Sequence, residues 1–130
     1  MASTQQDSQK AVPVRAVLYV CCERSMLRPE LGAERAEEEG RAFAAERDIT
    51  ILETVTDPYG QPDPAHRAGW QRVRDLARLG YICMVIVRWP TSIAPDRSHN
   101  LRHRETSALK EDGVEVRYSW APLVRAGQQP

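Results

Sequence analysis

The sequence predicts a three-layer α/β domain built on a mostly parallel sheet of about four strands. Short apolar runs alternate along the chain with longer segments of helical periodicity, which is the order typical of α/β folds. The first run, 12–22, has little polar interruption, as expected for a strand that helices cover on both faces. The predicted strands are 12–22, 48–55, 81–89 and 114–119, and the predicted helices are 30–47, 67–79 and 98–111.

The first half of the chain supplies a strand, a helix and a second strand. Pro29 stands just before the helix, at a position where proline is favoured. The apolar face of this helix steps by three and four residues through Ala33, Ala36, Gly40 and Phe43. The glutamates at 37–39 lie between these positions and face mostly water. Residues 48–55 (DITILETV) are β-branched and short, which indicates a second strand.

The second half begins with a loop over 56–66, which is rich in proline and glycine. The following helix has apolar residues at Trp70, Val73, Leu76 and Ala77 and ends at Gly80. Residues 81–89 (YICMVIVRW) are the most apolar stretch and are predicted to be the central strand. Pro90 ends that strand, because proline cannot donate to a sheet ladder. A weaker helix, 98–111, and a strand after Gly113 complete the order.

The chain has 130 residues, of which 42% are hydrophobic and 28% charged, as in ordinary globular domains. We expect one domain at 12–122, with a disordered N-terminal tail at 1–11 and a C-terminal tail at 123–130. No apolar run approaches the roughly 20 residues of a membrane span, and the polar start is not a signal peptide. We therefore expect a cytoplasmic protein that does not associate with membranes.

Three cysteines are present, and none forms a C-x-x-C pair. Free thiols are expected, with the adjacent Cys21 and Cys22 on opposite faces of the first strand. His99 and His103 stand four residues apart, but no glutamate lies between them as in the zinc motif H-E-x-x-H. We therefore expect neither a metal site nor a cofactor.

Charge is distributed unevenly although the net charge is zero. Residues 1–65 carry −5 and residues 66–130 carry +5. Net charge therefore gives no support to non-specific binding of nucleic acid. Three arginines within eight residues, Arg97, Arg102 and Arg104, are nevertheless candidates for contacts with DNA phosphates. The alternative is that this run is a solvated helix face.

Ligands in parallel sheets bind beyond the carboxyl ends of the strands, which here are the segments 22–29, 56–66 and 89–97. The first segment has neither G-x-G-x-x-G nor G-K-[ST], so a dinucleotide or nucleotide-phosphate loop is not expected. Ser25, next to Arg24, is either a nucleophile or a turn and cap residue. Arg67 begins the second helix, where a positive charge is unfavourable unless an anion or a carboxylate such as Asp63 meets it.

Several of these segments resemble the catalytic domain of the serine recombinases of the resolvase/invertase type. Ala-Val-Leu-Tyr-Val at 16–20 is similar to the family's opening Tyr-x-Arg-x-Ser strand, with Tyr19 as its tyrosine. Residues 66–72 (HRAGWQR) are similar to its Asp-Arg-Pro-Gly-Leu segment, and 84–89 (MVIVRW) to the strand that leads into Lys-Leu-Asp-Arg-Leu-x-Arg. The resemblance covers about 12–120. It implies a domain related to DNA strand exchange. The expected partners are DNA and either another protein or a second copy of the chain.

The family's reaction requires a serine that attacks a DNA phosphodiester and several arginines that neutralise it. At the family's nucleophile position this chain has Glu23, and at the first arginine position it has Cys21. The family's Asp-Arg-Leu-x-Arg falls on 90–94 (PTSIA), so that aspartate and both arginines are absent. Arg67 matches one catalytic arginine, and Asp57 stands near an acidic position. Because each missing transition-state donor costs about 3 kcal/mol, the resemblance implies an inactive domain.

We therefore predict a catalytically inactive, resolvase-like regulator that binds DNA or another protein. Arg67, Arg97, Arg102 and Arg104 are the predicted nucleic-acid contacts. We also expect the chain to lack the family's long dimerisation helix and a separate DNA-binding domain, because it ends soon after the last strand. One alternative is a residually active recombinase that uses Ser25 and Arg67. The other is a small-molecule-binding α/β domain with a pocket near Cys22, Asp57 and Trp89.

Overall fold

The computed structural model describes residues 13–120, and the predicted tails at 1–11 and 123–130 lie outside them. The seven main elements are β1 (Val14–Val20), α1 (Leu31–Glu46), β2 (Ile49–Thr56), α2 (Ala68–Arg78), β3 (Met84–Val87), α3 (His99–Glu111) and β4 (Glu115–Tyr118). Their order and type confirm the sequence prediction. The central strand β3 is shorter than the predicted 81–89, by three residues at its start and two at its end, and a one-turn 3₁₀ helix begins at Pro90.

The four strands form one sheet in the order β2-β1-β3-β4, and all three pairings are parallel. On one face, α1 packs against β1 and β3 through a cluster that includes Leu18, Phe43 and Ile86. The other face is covered by α2 and α3, whose Trp70 and Leu109 are completely buried. The predicted three-layer architecture is therefore confirmed, with one helix on one side and two on the other.

α1 approaches the sheet closely at Gly40. A Cβ atom at this position would overlap the side chain of Leu18 on β1. Glycine therefore serves here as a packing residue, although it is a poor helix former.

A bulge in β2 changes the face to which its side chains point. Ala16 pairs with Ile51, whereas the next residue, Val17, pairs with Glu53, so Leu52 is an extra residue. Before the bulge, Ile51 packs in the cluster beneath α1, whereas Val55 packs in the cluster beneath α2. A shift by one residue reverses the faces of all later side chains. The bulge therefore directs the end of β2, and the chain that follows it, towards α2.

The strand order reverses between β1 and β3, because β2 lies on one side of β1 and β3 on the other. In sheets of this kind, the carboxyl ends of the two strands at the reversal flank a crevice. Among the described residues, no helix is both long enough and apolar enough to cross a bilayer.

Candidate functional site at the carboxyl ends of the strands

A cleft of about 460 Å³ opens at the reversal point between β1 and β3. Its wall combines residues that follow β1, β2 and β3 with the loop before α3, including Cys22, Glu23, Tyr59, Arg67, Arg88, Trp89 and Arg97. Gly32, in the first turn of α1, also borders it. The wall thus brings together three arginines, two aromatic rings and the start of a helix.

Arg67 forms part of the wall, although only 6% of its surface is exposed. Its Nε donates to the carbonyl oxygen of Gln61 at 2.9 Å, and its Nη1 donates to that of Ser92 at 2.9 Å. Nη1 also donates to Tyr19 Oη at 3.2 Å. Nη2 has no hydrogen-bond partner among residues 13–120. Arg67 therefore ties three segments together and keeps one nitrogen available.

Tyr19 links Arg67 to a buried carboxylate. Its hydroxyl donates to Asp57 Oδ2 at 2.7 Å. Burial and the neighbouring Cys21 and Asp57 raise the pKa of Tyr19 far above its usual range, and the contact with Arg67 offsets this only in part. Tyr19 is therefore a neutral donor that joins an anion to a cation.

Asp57 caps the N-terminus of α2 although it lies 12 and 13 residues before the residues it contacts. Its carboxylate accepts from the backbone N–H of Gly69 at 2.7 Å and from that of Trp70 at 2.9 Å. These two N–H groups lie in the first turn of α2, where a negative charge is favourable. Asp57 is 5% exposed and does not border the cleft, so it holds the cleft's supporting helix.

Asp63, which the sequence offered as one possible partner of Arg67, does not pair with it. Asp63 accepts instead from Arg104 Nη2 at 2.6 Å and from the backbone N–H of Ala65. The hydrogen bond from Arg104 lowers the pKa of Asp63 below its ordinary value. Asp63 is therefore the N-cap of a short 3₁₀ turn and a partner of α3.

Cys21 and Cys22 point to opposite faces of the sheet, as predicted, and all three cysteines are free. Burial raises the pKa of both thiols, and at Cys22 the neighbouring Arg88 offsets part of the increase. Neither thiol is therefore set up as a reactive thiolate at neutral pH. No group of three or more metal-ligating side chains exists in the described part of the chain.

Arg88 is held in place from two sides. Its Nε and Nη2 donate to the two carboxylate oxygens of Glu39 on α1, each at 3.0 Å. Its guanidinium also lies 4.4 Å from the ring centre of Trp89, which contacts Trp120 edge-on. These contacts neutralise Arg88 and fix the Trp89 ring at the edge of the cleft.

Comparison with solved structures identifies related folds. The C-terminal catalytic domain of ISC1926 TnpA, an IS607-like serine recombinase, matches with a TM-score of 0.70 at 14% identity, over 88% of this chain and 76% of that one. The N-terminal catalytic domain of TP901-1 integrase matches with a TM-score of 0.68 at 9% identity, over 81% and 77%. This chain has the fold of a serine recombinase catalytic domain.

The first open reading frame of transposon ISC1904 from Sulfolobus solfataricus P2 also matches this chain. Its TM-score is 0.56 at 12% identity, over 88% of this chain and 71% of that one. No protein-family profile and no curated protein matches the sequence.

Within this recombinase fold, the loop after β1 places Glu23 in the cleft wall and Ser25 outside it. Ser25 is exposed, and its Oγ accepts from the backbone N–H groups of Leu27 at 3.2 Å and Arg28 at 3.3 Å. This is the geometry of a turn residue, one of the two roles considered from the sequence.

The three arginines of the 97–104 run have different partners in the structure. Arg97 is exposed, borders the cleft and makes no ion pair within residues 13–120. Arg102 donates to the carbonyl oxygen of Ala94 and to Asp96, at 2.8 and 3.0 Å. Arg104 is paired with the carboxylates of Asp63 and Glu105. Of the run, Arg97 is thus the arginine best placed to meet an external anion.

Sequence reasoning missed the buried Glu105 on α3. Glu105 accepts from Trp70 Nε1 at 2.8 Å, from Arg74 at 2.7 Å and from Arg104 at 2.8 Å. A usable signal was present, since position 105 lies four residues from both Leu101 and Leu109, on the inner face of the helix. A carboxylate at such a position needs buried partners.

Proposed function

We propose that this chain is a serine-recombinase-like domain that acts on DNA transactions by binding and does not cleave strands. The observation that carries this proposal is the loop after β1. Glu23 borders the cleft where the resemblance expects a nucleophile, so this position offers no hydroxyl to attack a phosphodiester. Ser25 is already engaged as the acceptor of two backbone N–H groups. The recombinase fold supports the relation to DNA.

The test of inactivity uses supercoiled plasmid. A recombinase-type attack by a serine would leave protein covalently attached to a DNA end, which denaturing gels detect as a shifted band. We expect no nicking and no adduct from the natural chain. An adduct that disappears in Ser25→Ala would refute the proposal and establish the alternative in which Ser25 and Arg67 catalyse cleavage. An adduct that persists in Ser25→Ala would refute it as well.

The proposed DNA contacts are two exposed arginines near the carboxyl ends of the strands. Arg28 lies in the loop after β1, and Arg97 lies in a one-turn 3₁₀ helix before α3. Both are exposed, and neither makes an ion pair within the described residues. Arg102 and Arg104 were also predicted to bind DNA, but their carboxylate partners would have to be displaced first. Two phosphate contacts predict that binding weakens about 12-fold when the salt concentration rises from about 50 to 200 mM.

Fluorescence anisotropy of a labelled duplex measures this salt dependence. For Arg97→Gln we expect weaker binding and a loss of only about 3.5-fold over the same salt range, since one contact remains. Arg15→Gln is the matched control, because Arg15 is exposed at the opposite end of β1. If the natural chain does not bind duplex at 50 mM salt, the DNA proposal fails and a protein-interaction regulator takes its place. Sedimentation of the same samples tests the predicted homodimer.

The second candidate function is binding of a small molecule, and the cleft itself favours it. Cys22 and Trp89, two of the three residues named for such a pocket, border the cleft, whereas the buried Asp57 does not. A volume of about 460 Å³ falls within the roughly 300–1,000 Å³ of small-molecule sites.

A further inference from the structure

We infer that the cleft binds a single nucleotide, with the phosphate at Arg67 and Arg97 and the base against Tyr59 and Trp89. The inference deepens the proposed function, because it names an unpaired nucleotide as the unit of nucleic acid that the cleft accepts. Three features of the cleft support it: one arginine nitrogen without a partner among residues 13–120, the charge balance of the wall and its aromatic side chains.

Arg67 supplies the anchor for the phosphate. The guanidinium is almost completely buried, and two of its nitrogens are fixed by Gln61, Tyr19 and Ser92. The third, Nη2, belongs to a wall residue of the cleft and has no partner between residues 13 and 120. A guanidinium that other contacts already hold in place is a strong donor to an anion, since little order is lost when the contact forms.

The charges of the wall limit the ligand to one phosphate. Arg88 is neutralised by Glu39, and Asp96 is paired with Arg102. Arg67 and Arg97 remain as cations without an ion-pair partner in the described chain, opposed by the carboxylate of Glu23. This balance favours a monophosphate and disfavours a triphosphate, whose further negative charges would meet Glu23.

The aromatic wall supplies the contact for a base. Tyr59 is 53% exposed and belongs to the loop after β2, and Trp89 follows β3. The contacts of Arg88 and Trp120 hold the Trp89 ring before any ligand arrives. Aromatic side chains beside a basic groove are the usual means of binding unpaired bases, and stacking accepts any base.

The test follows indole N–H signals by NMR in the full chain, which contains three tryptophans. The probes are thymidine 5′-monophosphate, thymidine and inorganic phosphate. We expect the monophosphate to shift the Trp89 signal in a saturable way and to bind at least tenfold more tightly than either part alone. The Trp70 signal should stay in place, because that N–H is buried and donates to Glu105. Equal binding of phosphate and monophosphate, or no shift of Trp89, would overturn the inference.

Two exposed residues allow variants that preserve the fold. Tyr59→Ala should weaken thymidine monophosphate binding about tenfold. Tyr81→Ala is its control, since Tyr81 is equally exposed but precedes β3 at the opposite edge of the sheet. Arg97→Gln should also weaken binding, whereas Arg15→Gln should not. Unchanged affinity in both Tyr59→Ala and Arg97→Gln would overturn the inference even if the natural chain binds the nucleotide.

A final comparison distinguishes a strand end from a free nucleotide. Tighter binding of 5′-phosphorylated tetrathymidylate than of thymidine monophosphate would support the inference and assign the site to a strand end. Equal or weaker binding would support it and assign the site to a free nucleotide. Duplex binding without nucleotide binding would refute this inference and leave the proposed function in place. Nucleotide binding without duplex binding would support this inference and refute the proposed binding of duplex DNA.

Discussion

Glu105→Gln tests whether the buried charge network between α2 and α3 stabilises the fold. Glu105 is 2% exposed and receives hydrogen bonds from Trp70, Arg74 and Arg104. Glutamine keeps the shape of the side chain but removes its charge and replaces one acceptor with a donor. Breaking a buried ion pair costs about 3–5 kcal/mol. Arg104 is 45% exposed and regains water, so we place the loss at the lower end, about 3 kcal/mol.

Urea unfolding at pH 7 measures this loss. For a slope of about 1.5 kcal/mol per M, the midpoint should fall by about 2 M with no change in slope. Glu38→Gln is the control, because Glu38 is exposed on α1 and makes no ion pair within the described residues. A decrease of less than about 1 kcal/mol in the free energy of unfolding would refute the reasoning, since the charge of Glu105 would then contribute little to stability.

The pH dependence of the same network has a definite sign. Burial raises the pKa of Glu105, but hydrogen bonds from Trp70, Arg104 and Arg74 outweigh it and lower the pKa below the ordinary value of 4.5. The folded pKa is thus lower than the unfolded one, so this stabilisation is complete above pH 4.5 and is lost as the pH falls through the folded pKa. The difference in the free energy of unfolding between the natural chain and Glu105→Gln should therefore become smaller below pH 4.5.

Three further predictions concern packing, capping and thiol chemistry. Gly40→Ala should destabilise the fold by about 1–3 kcal/mol and lower the melting temperature, although alanine is the better helix former. Adding Leu18→Val should restore part of the lost stability. Asp57→Asn should cost about 2 kcal/mol in urea unfolding, because a charge is lost from the cap of α2 and from the hydroxyl bond of Tyr19. Iodoacetamide should modify the exposed Cys83 well before the buried Cys21; equal rates by mass spectrometry would contradict this order.

The helices and strands could be predicted from the sequence because each depends on the spacing of apolar residues within its own segment. The spacing of Trp70, Val73 and Leu76 specifies a buried helix face wherever that helix packs. The apolar run of β1 specifies a strand covered on both sides in the same way. The position of the cleft follows as well, since strand order in parallel sheets places ligands at the carboxyl ends.

The contacts of the site could not be obtained in this way, since its partners are distant in the sequence. Arg67 bonds to Tyr19, 48 residues away, and to Ser92, 25 residues away, whereas the nearby Asp63 bonds elsewhere. Proximity along the chain was a poor guide, since Asp63 caps the turn at 64–66 and pairs with Arg104 on α3. The bulge at Leu52 likewise leaves no mark in a β-branched run, although it decides the face to which Val55 points.

The bulge at Leu52 also affects whether other chains can add a strand to the edge of the sheet. β2 is an edge strand of eight residues, and an uninterrupted edge of this length would offer a template on which another chain could add a strand. The bulge breaks the regular spacing of N–H and C=O groups near the middle of that edge, and the charged Glu53 follows directly. A second strand could match only the short stretch on one side of it. Deleting Leu52 should therefore promote aggregation at high protein concentration as well as disturb the fold.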